Sequence, residues 1–406
     1  MRQKESIPMK LFESQWAGVK ESLLEGADLT HNMDGSANAN KKRVMGILLE
    51  NTRKSLMEAA STGATSAAAI AQLNKVILPV MRRVMPTVIA NEIVGVQPMA
   101  GPIAQIHTMR VSYSETVASG VTAGDEALSP YDIARYYSGD AANPTSPAGA
   151  ATGTLEGTPG KGIQIATLRQ TVEAKSRKLS ARWTFESAQD AQAQQGIDVE
   201  QEVMAALAQE ITAEIDQEIL FHLRALAGTT QTFSQAAATG TPTFIGDVHA
   251  ALAIQINRAA NLIASRTRRG AGNWCVVSPT ALTLLQSATT SGFARSTDGV
   301  FDAPTNTKYV GTLNNTLRVY VDGYGVDATP VLVGYKGNET DAAAFYCPYV
   351  PLTSSGVVID PSTMEPVVSF MTRYGYVELT NTANSLGNAA DYVSKITIDT
   401  ASLTWM

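Results

Sequence analysis

Between Ser114 and Gly162 lies a run of roughly fifty residues rich in Ala, Gly, Ser, Thr and Pro, with no sustained period and few large apolar side chains. Unstructured chain of that length is uncommon inside a compact domain, so the run is expected to be a functional or intermolecular loop. Strand signals border it. Gln105 to Tyr113 alternates, with His107, Met109, Val111 and Tyr113 on one face and Arg110 and Ser112 on the other. Beyond the run, Leu179, Ala181, Trp183 and Phe185 alternate with Ser180, Arg182 and Thr184. The simplest picture is a long projecting β-arm.

The rest of the chain mixes both periods. Residues 1–66 read as an arm of two helical pieces on either side of Asn32 to Asn40. In the second piece Met45, Leu48, Leu49, Thr52 and Leu56 form a narrow apolar stripe, with Lys41, Lys42, Arg43, Arg53 and Lys54 on the other side. Ala67 to Ala90 continues as a helix through Ile70, Leu73 and Ile77, ended near Met85 because Pro86 removes a backbone donor. The strongest helix signal starts where Asp198 and Gln201 stand at capping-box spacing. Val203, Leu207, Ile211, Ile215 and Ile219 then repeat every four residues up to Gly228, a helix of about 45 Å. A second helix, Asp247 to Arg269, turns Leu252, Ile256 and Ile263 inward and leads to a strand at Trp274 to Val277 and a short helix from Pro279. Strands follow at Leu317 to Asp322, Val331 to Val333, Ala344 to Tyr346, Gly356 to Ile359, Val367 to Glu378 and Val393 to Ile398. The class is α+β with the longest helix central.

At 406 residues the chain is long enough for two or three lobes. Charged residues are only 17% against 44% apolar, which leaves part of the surface for partners rather than for water. With 31 Lys plus Arg against 37 Asp plus Glu, the net charge of −6 offers phosphate no general attraction. Cys275 and Cys347 lack CxxC spacing and read as two buried, reduced thiols. The N-terminus shows no secretory signal, and the most apolar helical region, Val76 to Ala90, is interrupted by Pro79, Arg82, Arg83 and Pro86. A soluble intracellular life without a membrane span is expected.

The chemistry of enzymes is looked for and not found. His31, His107, His222 and His249 never approach one another in sequence, and no compact metal motif occurs; His222, on the long helix, reads as a packing or surface residue. Gly157 to Gly162 lacks the spacing of a phosphate-cradling loop, and Gly323 with Gly325 lacks the third glycine of a dinucleotide turn. No GxSxG elbow is present. Glu200, Glu202, Glu210, Glu214, Asp216 and Glu218 on the long helix read as a solvated face rather than an acid/base pair. No catalytic, metal or cofactor residue is therefore assigned. Two basic clusters stand out: Lys175, Arg177, Lys178 and Arg182 on a strand, and Arg266, Arg268 and Arg269 at a helix end, where they also complement the dipole. Ion pairs between subunits, with Arg110 and Arg373 as further contacts, rank ahead of DNA contact because the chain is acidic overall.

Seven strings resemble, in order, the major capsid proteins of T-even-type contractile-tailed phages. They are RRVMPTVIANEIVGVQPMAGP (Arg82 to Pro102), VEAKSRKLSARW (Val172 to Trp183), AQDAQAQQGID (Ala188 to Asp198), RRGAGNW (Arg268 to Trp274), LVGYKG (Leu332 to Gly337), FYCPYVPLT (Phe345 to Thr353) and FMTRYGY (Phe370 to Tyr376). The resemblance implies an HK97-like capsid fold. On that template residues 1–66 form an N-terminal arm, 67–103 a helix and lead-in, and 104–165 an extended β-loop. Residues 166–245 would form the peripheral domain with the spine helix 198–227, 246–345 the axial domain, and 346–406 the return strands of the peripheral domain. It further implies a homo-oligomer of hexamers and pentamers closing an icosahedral shell around double-stranded DNA without sequence-specific binding. Scaffold, decoration, vertex and portal proteins would be its partners, and the virion its place after assembly in the host cytoplasm. Family members are trimmed after Glu in a Leu or Ile, any residue, Glu setting. Leu56, Met57 and Glu58 match it, as do Leu48 to Glu50 and Leu23 to Glu25. Residues 1–58 are a removable segment or a permanent clasp, with the clasp slightly preferred. Two other readings stay open: a cargo-enclosing nanocompartment of the same fold, and a soluble hydrolase with an unrecognised site, which gel filtration separates from a shell.

Overall fold

A computed structural model describes residues 39–61, 88–117, 122–124, 127, 137–139, 149–157, 159–195, 198–227, 229–234, 245–267, 269–288, 293–295, 308–326, 328–379 and 389–400. The first helical piece of the arm and the helix expected over residues 67–85 lie outside them.

In chain order the N-terminal part contains α1 (Ala39–Ser61), α2 (Ala90–Ile93), β1 (Gly95–Val96), β2 (Ile103–Tyr113), α3 (Thr152–Leu155), β3 (Ile163–Glu173) and β4 (Lys175–Arg182). Then come α4 (Phe185–Gln195), α5 (Val199–Leu226), β5 (Thr229–Phe233), α6 (Ile245–Thr267), β6 (Trp274–Val277) and α7 (Pro279–Ser287). The C-terminal part is strand-rich: β7 (Phe293–Arg295), β8 (Lys308–Leu313), β9 (Leu317–Val321), β10 (Val331–Gly334), β11 (Ala344–Ser354), β12 (Val358–Ile359), β13 (Pro366–Glu378) and β14 (Val393–Ile398).

These strands build two sheets and a ribbon. One sheet runs β1-β11-β13-β12 with β4 on the other side of β13; the second runs β5-β14-β10-β6-β9-β8-β7; among the described residues β2 and β3 pair only with each other. Strand β13 shows how the sequence sets the first sheet. Val368, Phe370, Thr372 and Tyr374 are buried while Val367, Ser369, Met371 and Arg373 are half-buried, the two-residue alternation of a strand with one covered face.

Helix α5 covers that face. Its 28 residues reach about 42 Å, and the Asp198 carboxylate caps it by accepting from the Glu200 N–H. Ile211, Ile215, Ile219, Leu220 and Leu223 share one core with Val368 and Phe370 of the first sheet and with Val276, Tyr320 and Leu332 of the second. The helix therefore ties the two sheets together.

A second core lies on the other side of the seven-stranded sheet. There Leu252, Ile256 and Ile263 of α6 are wholly buried, as their spacing implies, against Cys275, Val277, Val319 and Val333. Gly334 must be glycine, since a Cβ would stand 2.1 Å from the Trp274 ring. No described helix is long and apolar enough to cross a membrane.

One boundary differs from the expected alternation. Strand β4 ends at Arg182, and Phe185, 46% exposed, opens helix α4 instead of extending the strand. Thr184 redirects the chain: its Oγ1 accepts from the Ser187 N–H at 3.3 Å, a helix-start contact that an alternation count does not weigh.

Candidate assembly surfaces

Strands β2 and β3 pair over eleven residues, from Ile103 opposite Glu173 to Tyr113 opposite Ile163, and so extend about 36 Å. Ala104, Ile106 and Val172 pack the base against the first core. Ile103, Ile163 and Ile165 are 65%, 58% and 67% exposed. At the far end Tyr113, Val117, Ala127 and Tyr137 form a small cluster of their own, and the Tyr137 hydroxyl donates to the Gly162 carbonyl at 2.7 Å. A two-stranded ribbon is marginal alone in water, and apolar side chains left along it need a cover. Arg110 sits on this ribbon opposite Ala166, with its side chain outside the described residues.

Strand β4 lies at the sheet edge, and its two faces do different things. Toward α5, Arg177 reaches Glu214 at 2.7 Å and Glu218 at 2.5 Å and donates to the Tyr374 hydroxyl, which itself donates to Glu218. Burial alone would depress the Arg177 guanidinium, but Glu218 and Tyr374 outweigh it and hold the pKa above its ordinary value. Burial likewise works against the Glu218 carboxylate, yet the Tyr374 and Arg177 hydrogen bonds bring its pKa below the usual range. Arg177 thus pairs within its own chain. On the opposite face, the register sets Ser176, Lys178, Ser180 and Arg182 beside Arg373, Met371, Ser369 and Val367. Lys175, Lys178 and Arg182 are exposed, and Arg182 approaches Glu365 only to 4.0 Å. The Arg373 guanidinium lies 5.3 Å over the Tyr349 ring, and its buried Nε meets no acceptor among the described residues.

The acidic side of α5 departs from the solvated reading. Asp216 is 1% exposed, and its Oδ1 accepts from the Ile89 N–H at 2.9 Å. Burial, with the charge of Asp322 adding to it, pushes its pKa well above the usual carboxylate range. Asp322, wholly buried, is held by Arg224 at 2.8 Å and by Gln217 at 2.7 Å. Lys41 departs as well. Instead of facing water it is buried, 2.8 Å from the Glu92 carboxylate, which Tyr320 and Arg318 also approach at 3.3 and 3.6 Å. Its neighbours Lys42 and Arg43 are exposed. None of these partners has a local sequence signal, since each lies dozens of residues away.

The remaining expected residues fall as follows. Arg269 pairs with Asp341 at 2.6 Å within the chain, and Arg268 lies outside the described residues. Glu58 stands in the last turn of α1, with its side chain outside the described residues. His222 stacks on Tyr376 at 5.1 Å, a packing contact. Cys275 and Cys347 are free and buried. Among the described residues no group of three or more His, Cys, Asp or Glu is placed to hold a metal ion.

This arrangement of ribbon, edge strand and buried polar ties resembles a building block more than a reaction site, and comparison with known proteins decides the matter. The sequence profile of the major capsid protein Gp23 family matches residues 70–398. The chain belongs to that family. Its role is therefore structural, as a subunit of the phage head and a component of the virion. The major capsid protein of Vibrio phage KVP40 is 29% identical over 94% of this chain and 96% of its own. That of Enterobacteria phage T4 is 30% identical over 78% of this chain and 77% of its own. Among solved structures, the capsid of the Myoviridae phage XM1 is similar at 11% identity and a TM-score of 0.41, over 75% of this chain and 88% of that one. Family membership rests on the sequence matches.

Proposed function

We propose that this capsid subunit closes an icosahedral head from hexameric capsomers around double-stranded DNA that it does not read. The ribbon carries the proposal. A paired extension with Ile103, Ile163 and Ile165 in water is completed only by lying across a neighbouring copy. Such a contact joins different surfaces of identical chains, the heterologous kind that closes rings by rotation. Interfaces above about 2,000 Å² per contact would make release effectively irreversible.

The HK97-like reading assigns residues 104–165 to the extended loop, 166–245 and 346–406 to the peripheral domain, and 246–345 to the axial domain. Two cores, one on each side of the seven-stranded sheet, support it. Intersubunit contacts fall on the exposed cations Lys175, Lys178 and Arg182 and on Arg110, Arg268 and Arg373, with Arg177 and Arg269 buttressing them from within. Scaffold, decoration, vertex and portal proteins complete the assembly.

If the arm is trimmed, Glu58 is a better position than Glu50. Leu48 and Leu49, just before Glu50, are buried in the core, and a protease needs a strand it can pull free. N-terminal sequencing of mature particles tests this. The shell itself is tested by deleting residues 120–158: the expected product is a soluble subunit that forms no particles in electron micrographs, and normal particles from that deletion refute the ribbon's role.

A further inference from the structure

Two buried carboxylates stand near one another where α5, α2 and the turn after β9 come together, and they are provided for unequally. Asp322 has a full set of donors: Arg224 at 2.8 Å, the Gln217 amide at 2.7 Å and the Tyr324 N–H at 3.1 Å. Asp216 has one. Its Oδ1 accepts from the Ile89 N–H at 2.9 Å, while its Oδ2 is shut off from water and meets no partner among the described residues. A charged oxygen without a donor is costly in such a place, and a proton on Oδ2 removes the charge.

The groups around Asp216 do not supply a compensating cation. On α2 the one charged side chain, Glu92, turns to Lys41, Arg318 and Tyr320. On α5 itself Arg224 is committed to Asp322, Glu218 to Arg177 and Tyr374, and His222 is stacked on Tyr376. Lys336 beyond β10 turns to Glu339 and the Asn91 carbonyl, and Lys395 of β14 donates to the Arg224 carbonyl. On β11 stands Tyr346, a phenol that burial, Tyr374 and Asp216 itself push away from ionising. The charge that does act on Asp216 is the like charge of Asp322, which adds to burial in raising its pKa.

We infer that the Asp216 carboxyl is a proton-held latch: protonated, it keeps the root of the arm seated on α5, and its ionisation opens that seam and loosens α1 as well. The latch is separate from the shell reading and does not depend on it. An ionised Asp216 would hold Ile89 more strongly through Oδ1, but Oδ2 would then carry charge beside Asp322 and draw water in. The α5 side of the seam cannot yield, since Gln217 and Arg224 are tied to Asp322 and Ile211, Ile215 and Ile219 are fixed in the core. The α2 side can. It is a helix of four residues, and its Glu92 holds Lys41 of α1 at 2.8 Å, so movement at Ile89 is passed to the arm. The closed seam binds a proton that the open one releases. Its hold is therefore complete below the ordinary aspartate value of about 4 and weakens as pH rises toward the raised value.

The test follows the full-length subunit before assembly. Wild-type protein at neutral pH should show the infrared C=O stretch of a protonated carboxylic acid, and Asp216→Asn should lack it. Amide exchange of Ile89 and of α1, corrected for the intrinsic rate at each pH, should lose protection by about tenfold per pH unit from about pH 5 to the pH at which that band disappears, and then level off, as release of one proton requires. Asp216→Asn, which keeps an acceptor for Ile89, should give flat protection over the same range. At every pH α1 and α2 should exchange faster than β6, since they open without the body. Absence of the acid band at neutral pH overturns the inference, and so does a band that titrates while the protection of α1 stays constant. Equal protection of α1 and β6 overturns it too, because the arm would then open only when the whole chain unfolds. Should Asp216→Asn fail to fold, the wild-type curves decide alone: the band and the protection must break at the same pH.

Discussion

Replacing Lys41 with Met tests whether α1 is clamped to the body by charge or merely by apolar contact. Methionine keeps most of the lysine stem's volume, so Val44, Met45, Leu48 and Leu49 of the same helix keep their packing. What is lost is an ammonium 2.8 Å from Glu92, with side-chain exposures of 6% and 1%. Breaking a pair that deep costs about 3–5 kcal/mol, because the surviving carboxylate stays where water cannot reach it. Tyr320 and Arg318 remain within 3.3 and 3.6 Å, which places the expected cost near the low end, about 3 kcal/mol. For a 406-residue chain unfolding as one unit, the unfolding entropy is about 0.85 kcal/mol per degree, so the melting temperature should fall by about 4 °C. Scanning calorimetry of the unassembled subunit reads this shift, and limited proteolysis of α1 shows whether the helix lifts off first. Adding Glu92→Leu removes the stranded carboxylate and should recover all but about 1 kcal/mol, since well-packed apolar pairs replace buried ion pairs at little cost. A Lys41→Met protein that melts with the wild type, or a double variant no better than the single one, refutes a charge clamp.

Three further outcomes are expected. Asp216 has a higher pKa folded than unfolded, so its proton stabilises the fold at low pH, and that contribution is lost as pH rises from about 4 through the raised value; Asp216→Asn, which keeps an acceptor for Ile89, should flatten this part of the stability curve, and parallel melting curves from about pH 4 to about pH 8 would contradict it. Burial pushes the Cys347 thiol up to about 12 and Cys275 higher still, so a thiol reagent should label neither in the native subunit and both in denaturant; rapid native labelling would show that these sites open. Gly334→Ala would set a methyl 2.1 Å from the Trp274 ring between two strands that cannot part, a cost of about 3 kcal/mol or more seen as a lowered urea midpoint; an unchanged midpoint would mean the ring can turn away.

What the sequence makes legible and what it hides divide along distance in the chain. Helix α5, its Asp198 cap, the inward face of α6 and the alternation of β13 are written in neighbours two to four residues apart, and there the sequence and the structure agree. The fates of the charges are not written that way. Between Trp183 and Leu223 stand nine carboxylates and no lysine or arginine, and nothing local distinguishes Glu202, which meets water, from Asp216, which meets the backbone of Ile89. Lys41 and Lys42 are adjacent and equally basic, yet one is buried on Glu92 and the other exposed. In each case a group from a distant element supplies or withholds the partner that decides whether a charge can be buried, and desolvation makes that choice worth several kcal/mol.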